Sequence, residues 1–259
     1  MLIIHAIILG IVEGLTEFLP ISSTGHLIIT SHLLSIPTTD FLKSFEIIIQ
    51  VGAIAAVVVL YFKKILASRD LWKKVFAGFI PTAIIGYGMY KIVKLFLIGN
   101  IVVVAWSLLL GGIFLVCFER WYGKRKRHGK SMEDMTYREA IIIGCIQALA
   151  VIPGISRSAA TIVGGLTQNI SREAIVEFSF LLAVPVIGAA AFLDIIKTPI
   201  NFTRNEWGLL AVGLITSFIV AVLAIKFFLS FVKSHTFEWF GYYRIVLGIA
   251  VLAGVYFLG

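Results

Sequence analysis

Charge is scarce in this chain: only 14% of its 259 residues are Asp, Glu, Lys or Arg, while 59% are hydrophobic. With a mean hydropathy of +1.01, that balance excludes a soluble domain, which would not carry so many apolar runs of bilayer-spanning length. Cysteine is nearly absent. Cys117 and Cys145 fall in apolar segments without metal-ligand spacing, so they read as small buried hydrophobes. The start, Met1–Leu9, lacks a basic n-region and no small-residue cleavage site follows, so no removable signal peptide is expected. The net charge of +8 comes from bases clustered in short inter-helix segments. That clustering points to membrane orientation rather than to nucleic acid.

What is present is a series of apolar segments: 43–62, 75–97, 100–122, 175–196, 207–232 and 241–258. Each is about long enough to cross a hydrocarbon core of about 30 Å. Residues 2–36 and 139–171 differ, because Pro20–Gly25 and Pro153–Ser158 break them near the middle. Each reads as a re-entrant helix hairpin, a form tolerated at membrane depth only where protein buries it or it lines a cavity. An internal repeat joins the two. Pro20, Ser23 and Phe45 correspond to Pro153, Ser156 and Phe178, and Trp72, Gly78 and Lys91 then correspond to Trp207, Gly213 and Lys226. The expected fold is an all-α polytopic membrane protein forming one domain over 1–259. Repeat 1 covers 1–123 and repeat 2 covers 139–259, each a hairpin plus three crossings, with a basic cytoplasmic connector at 124–138 between them.

Charge sets the expected topology. Arg120, Lys124, Arg125, Lys126, Arg127, Lys130 and Arg138 place the central loop in the cytoplasm, with Lys63, Lys64, Arg69, Lys73 and Lys74 on the same side. The loops 36–41 and 197–206 are poorer in bases and fall outside, as do both termini. Three crossings per half invert one repeat against the other, so the two broken tips can meet near the midplane.

The chemistry gathers at those tips. Glu13 and Glu17 are four apart and share a helix face with Thr16 beside them. Two carboxylates about 6 Å apart at an effective dielectric of about 20 repel by roughly 3 kcal/mol. They call for a divalent metal, Mg²⁺ or Ca²⁺ with substrate phosphate completing its shell, or for one carboxylate poised as a base. Simple helix–helix hydrogen bonding is the bland alternative. Ser22, Ser23 and Thr24 open the next helix after Pro20, where they can cap it or hold an anion at its positive end. Gly25 and His26 follow. Ser23 or His26 could be a nucleophile, with the other or a Glu as base.

The second tip reads Pro153-Gly-Ile-Ser-Arg-Ser-Ala-Ala-Thr161. Gly154 permits a tight turn, and Ser156 and Ser158 can cap the following helix. Arg157 at membrane depth wants a bidentate anion; its alternative is a salt bridge to Glu13 or Glu17. Elsewhere, Glu46 and Gln50 either line the same cavity or tie helices together, and Asp194 and Glu177 read as solvated helix-end residues. His5, His32, His128 and His235 have no constellation around them.

The strings Glu13–His26 and Pro153–Thr161 together resemble the bacterial undecaprenyl pyrophosphate phosphatase (bacitracin-resistance) family, over essentially the whole length. The resemblance implies an enzyme of the bacterial cytoplasmic (inner) membrane that recycles the cell-wall lipid carrier by removing one phosphate from undecaprenyl pyrophosphate. Its active site is then expected to open to the outer, periplasmic side. Glu13 and Glu17 match the family's acidic pair, Ser23 and His26 its Ser and His, and Arg157 its essential Arg. Ser22, Ser156 and Thr161 match secondary polar positions. The implied partners are a polyprenyl diphosphate and membrane lipids, no nucleic acid, with room left for a homodimer. A polyprenyl-phosphate flippase using the same inverted-repeat cavity is the alternative.

Overall fold

The computed structural model describes residues 1–96, 100–123, 129–197 and 202–258, the side chains of 90–96 and 258 excepted. The described residues form helices α1 (Ile3–Thr16), α2 (Ser23–Leu33), α3 (Asp40–Leu60), α4 (Phe62–Ala67), α5 (Arg69–Phe96), α6 (Ile101–Gly123), α7 (Tyr137–Gln147), α8 (Arg157–Thr167), α9 (Arg172–Lys197), α10 (Arg204–Val232) and α11 (Glu238–Leu258). No strand occurs among them; one isolated bridge joins Lys130 to Ile170. The chain is therefore an all-helical, multi-pass membrane protein. By length and composition, α3, α6, α9, α10 and α11 can each cross a bilayer. The sixth expected crossing lies on α5, which is not among those five, and its last residue lies outside the described residues. So do Lys124, Arg125, Lys126, Arg127 and His128 of the connector, and the side chain of Lys91.

Local chemistry explains most boundaries. Thr136 and Thr203 each accept from the backbone three residues on, while Glu139 and Glu206 reach back, which closes two capping boxes. Thr39 caps α3 through Leu42 N–H at 3.2 Å. α1 and α2 have 14 and 11 residues, which at about 1.5 Å per residue gives about 21 and 16 Å, well short of a hydrocarbon core. α7 and α8 have 11 residues each, with a 3₁₀ turn over Ala148–Val151 extending α7.

Packing interleaves the two halves. α1 lies on α10, α7 on α5, α3 on both α9 and α10, and α6 on α11. Two close approaches set the first two contacts. A Cβ on Gly10 would stand 2.8 Å from the Gly213 carbonyl, and one on Gly144 would stand 2.0 Å from that of Gly78. Backbone contact of this kind suits a bilayer, where association relies on packing rather than on a hydrophobic drive. Gly144→Val should overpack this seam by about 1–3 kcal/mol and lower the Tm in detergent. Gly188→Val, whose added Cβ meets nothing within 4 Å, should not lower it.

The core runs through both halves: Phe45 and Phe178 are fully buried, and Phe18 meets Phe180 edge-on at 5.1 Å. Near the helix ends, Arg172 forms a two-pronged pair with Glu119 at 2.7 and 2.6 Å, and Lys130 meets Glu139 at 2.7 Å. The Lys74 ammonium and the Tyr137 hydroxyl hold the exposed Asp70 carboxyl below the usual range. Two expectations are corrected. Glu177 is not simply solvated but pairs with Lys64 at 2.6 Å. Cys117 and Cys145 are exposed on α6 and α7 rather than buried, since apolar sequence around a thiol does not fix which face of the helix it takes.

Candidate active site

Both breaks are built from the helix ends outward. Glu17 caps the end of α1, its N–H reaching Glu13 O at 3.0 Å. The chain then turns and restarts at Ser22, which is held at φ +73° with its hydroxyl accepting from Gly25 N–H at 3.4 Å. A left-handed φ on a residue other than glycine costs on the order of 1–3 kcal/mol and gathers at functional sites. Across from it, Ser156 caps α8 by accepting from Ala159 N–H at 3.1 Å. Gly154 turns at φ +90°, and a Cβ there would fall 2.6 Å from Ser107 Cβ. The tips touch: Ser158 Oγ donates to Phe18 O at 2.7 Å, and a Cβ on Gly25 would stand 3.7 Å from Gly154 Cα.

Their junction is a three-residue chain. Ser23 Oγ donates to Glu17 Oε2, and Arg157 Nη2 donates to Glu17 Oε1 at 2.9 Å. Arg157 Nη1 also reaches Ser179 O at 3.2 Å, while its Nε has no partner. The two charged side chains are only 5% and 13% exposed, so their attraction is screened far less than at a surface. The ion pair weighed against phosphate binding in the sequence is thus present, bridging the two hairpins. Glu13 is fully buried and neither of its carboxylate oxygens has a hydrogen-bond partner.

The other expected residues divide. His26 is near the junction but bonded elsewhere: Nδ1 lies 2.7 Å from Ser22 O and Nε2 lies 2.7 Å from the Tyr243 hydroxyl. Thr24 is exposed. Thr161 is fully buried, its hydroxyl turned to Gln147 Oε1 at 2.8 Å and Arg157 O at 3.0 Å, which places it inside its own hairpin. Glu46 accepts from Ser31 Oγ at 2.6 Å and so ties α3 to α2.

The model of the bacitracin resistance protein BacA family matches residues 6–250. The chain belongs to the BacA family. Among relatives named undecaprenyl-diphosphatase, the protein of Aquifex aeolicus is 51% identical over 249 residues, 96% of this chain and 97% of its own. That of Bdellovibrio bacteriovorus is 47% identical over 253 residues, 98% and 96% of the two chains.

Two residues at this candidate site of the BacA-family chain were not singled out from sequence. Arg244, 2% exposed, donates to Pro20 O at 3.3 Å, Ser107 O at 3.1 Å and Gly154 O at 3.2 Å, clasping both tips from α11. Its neighbour Tyr243 holds His26. An arginine inside a crossing segment is the signal that points to the first, since intramembrane charge is rare without a purpose.

Among the described residues, no group of three or more His, Cys, Asp or Glu could hold a metal ion. A divalent ion completed by substrate phosphate needs only one or two carboxylates, however, and Glu13 fits that demand. Gln147, which follows Gly144 as Glu13 follows Gly10, has both its amide atoms satisfied, by Thr82 at 3.0 Å and Thr161 at 2.8 Å. Glu13 has no such partners, and the Ser217 hydroxyl is likewise buried and unbonded.

Proposed function

We propose that this protein is a membrane phosphatase that hydrolyses undecaprenyl pyrophosphate to undecaprenyl phosphate and phosphate. It would thereby recycle the cell-wall lipid carrier and confer bacitracin resistance. The observation that carries this is the Ser23–Glu17–Arg157 chain joining the tips of two short hairpins. Glu17 is placed to take the Ser23 proton as Oγ attacks the terminal phosphorus. The bridging P–O bond then breaks and undecaprenyl phosphate leaves. Arg157, already desolvated beside the attacking hydroxyl, offers its guanidinium to the phosphoryl oxygens. Water then attacks phosphoserine, Ser23 Oγ recovers its proton from Glu17, and His26 Nε2, once the Tyr243 hydroxyl has turned from it, takes the proton of water. Ser23 Oγ already donates to the Glu17 carboxylate, which favours Ser23 as nucleophile. Glu13, with Glu17 beside it, would hold a divalent ion, Mg²⁺ or Ca²⁺, which when bound would spread the phosphate charge.

The same proposal includes two inverted repeats, 1–123 and 139–259, with re-entrant hairpins and six crossings. Exchange of equivalent contacts supports it: α1 on α10 answers α7 on α5, and Gly10 on Gly213 answers Gly144 on Gly78. The basic connector then lies in the cytoplasm of a bacterial inner membrane, with both termini and the open cleft on the outer side. The flippase alternative is not favoured, since the relatives carry a phosphatase name. Purified protein in detergent should release phosphate from the C55 diphosphate without any membrane gradient. No release under metal-supplemented conditions would sink the proposal.

A further inference from the structure

The His26 ring is held at both edges, and the nature of its partners decides which nitrogen carries the proton. A backbone carbonyl can only accept, so the 2.7 Å contact with Ser22 O requires the proton on Nδ1. In the neutral ring Nε2 is then an acceptor, and the Tyr243 hydroxyl at 2.7 Å donates to it. The two rings lie nearly parallel, 10° apart with centroids separated by 5.5 Å, so contact also limits rotation of the imidazole. Ser22 is itself fixed by its left-handed backbone and its capping bond. Tyr243 is fixed from the other side, because the next residue, Arg244, is clasped to the carbonyls of both tips.

We propose that Tyr243 is a positioning residue of the phosphatase site, its hydroxyl holding His26 in the Nδ1–H form with Nε2 as the basic nitrogen. This rests on the phosphatase reading of the same site. The Ser22 carbonyl alone would leave the ring free to swing about its other edge. The hydroxyl makes the second point of attachment, and its proton keeps Nε2 from seeking a donor role. A base held in one tautomer needs only the Tyr243 hydroxyl to give way to water, whereas a mixed population is productive only in part.

Tyr243→Phe separates the hydroxyl from the ring, since Phe keeps the stacking. In ¹⁵N-histidine-labelled protein in detergent, with His26→Gln used to assign the signals, wild-type His26 should appear as the Nδ1-protonated neutral ring. In Tyr243→Phe it should shift towards a mixture of tautomers. With C55 diphosphate as substrate, the variant should lose about tenfold in kcat, about 1.4 kcal/mol, while KM stays within about twofold. A Tyr243→Phe protein with wild-type tautomer and wild-type kcat would overturn the inference, as would a tautomer shift that leaves kcat untouched. If wild-type protein released no phosphate, the phosphatase proposal would fall. The nitrogen signals would still show whether Tyr243 holds His26.

Discussion

Ser23→Ala should lower phosphate release from C55 diphosphate by about 10⁴-fold or more, in line with losses seen when a covalent nucleophile is removed. The structure makes Ser23 distinctive among the hydroxyls at the tips. Ser22 is spent on Gly25 N–H, Ser156 on Ala159 N–H, and Ser158 on Phe18 O. Only Ser23 among these gives its proton to a carboxylate, and that carboxylate is buried beside an arginine. The change removes one oxygen from a residue in the first turn of α2, where alanine is a good helix former. Folding should therefore survive, and an unchanged Tm in detergent would confirm that the loss is chemical. A residual rate within tenfold of wild type would leave Ser23 without the proposed role.

Arg157→Ala should reduce kcat by about 10²–10³-fold, the usual loss when a donor aimed at developing charge is removed from a desolvated site. Two effects combine here. The transferring phosphoryl group loses its guanidinium, and Glu17 keeps a buried negative charge with no cation beside it. The second effect threatens stability, since breaking a buried pair from one side costs about 3–5 kcal/mol. Arg157→Lys separates them, because it keeps the charge but loses the planar, two-pronged geometry. Lys should restore most of the Tm and only part of kcat, measured on the same detergent preparation. If Lys restored kcat fully, Arg157 would act only as a counter-charge for Glu17.

Much of this was legible in the chain because the two breaks are written in local chemistry. Pro20 and Pro153 interrupt apolar segments, hydroxyl residues follow each, and charge at such depth marks a site. The helix boundaries lie a few residues outside the expected ones, at Asp40, Arg69 and Arg172, because flanking polar residues continue the helices. Hydropathy registers where lipid begins rather than where hydrogen bonding does. The pairing of His26 with Tyr243 was not legible. The two are 217 positions apart, and a tyrosine in a membrane helix ordinarily reads as an interfacial anchor. Arg244 is visible as a charge inside an apolar segment, but what it holds is not. Its partners, being backbone carbonyls, leave no trace in sequence. Thr161 shows the converse: it stands among motif residues, but helix geometry turns its hydroxyl to Gln147, away from the junction.

In the proposed reaction Ser23 takes the phosphoryl group while Glu17 receives its proton. The most direct measurement uses C55 diphosphate labelled on its terminal phosphate, with acid quenching during turnover and mapping of labelled peptides by mass spectrometry. Acid-stable label should build on Ser23 before free phosphate and be absent from Ser23→Ala. Label on His26, or labelled phosphate appearing without any labelled peptide, would contradict the proposed reaction.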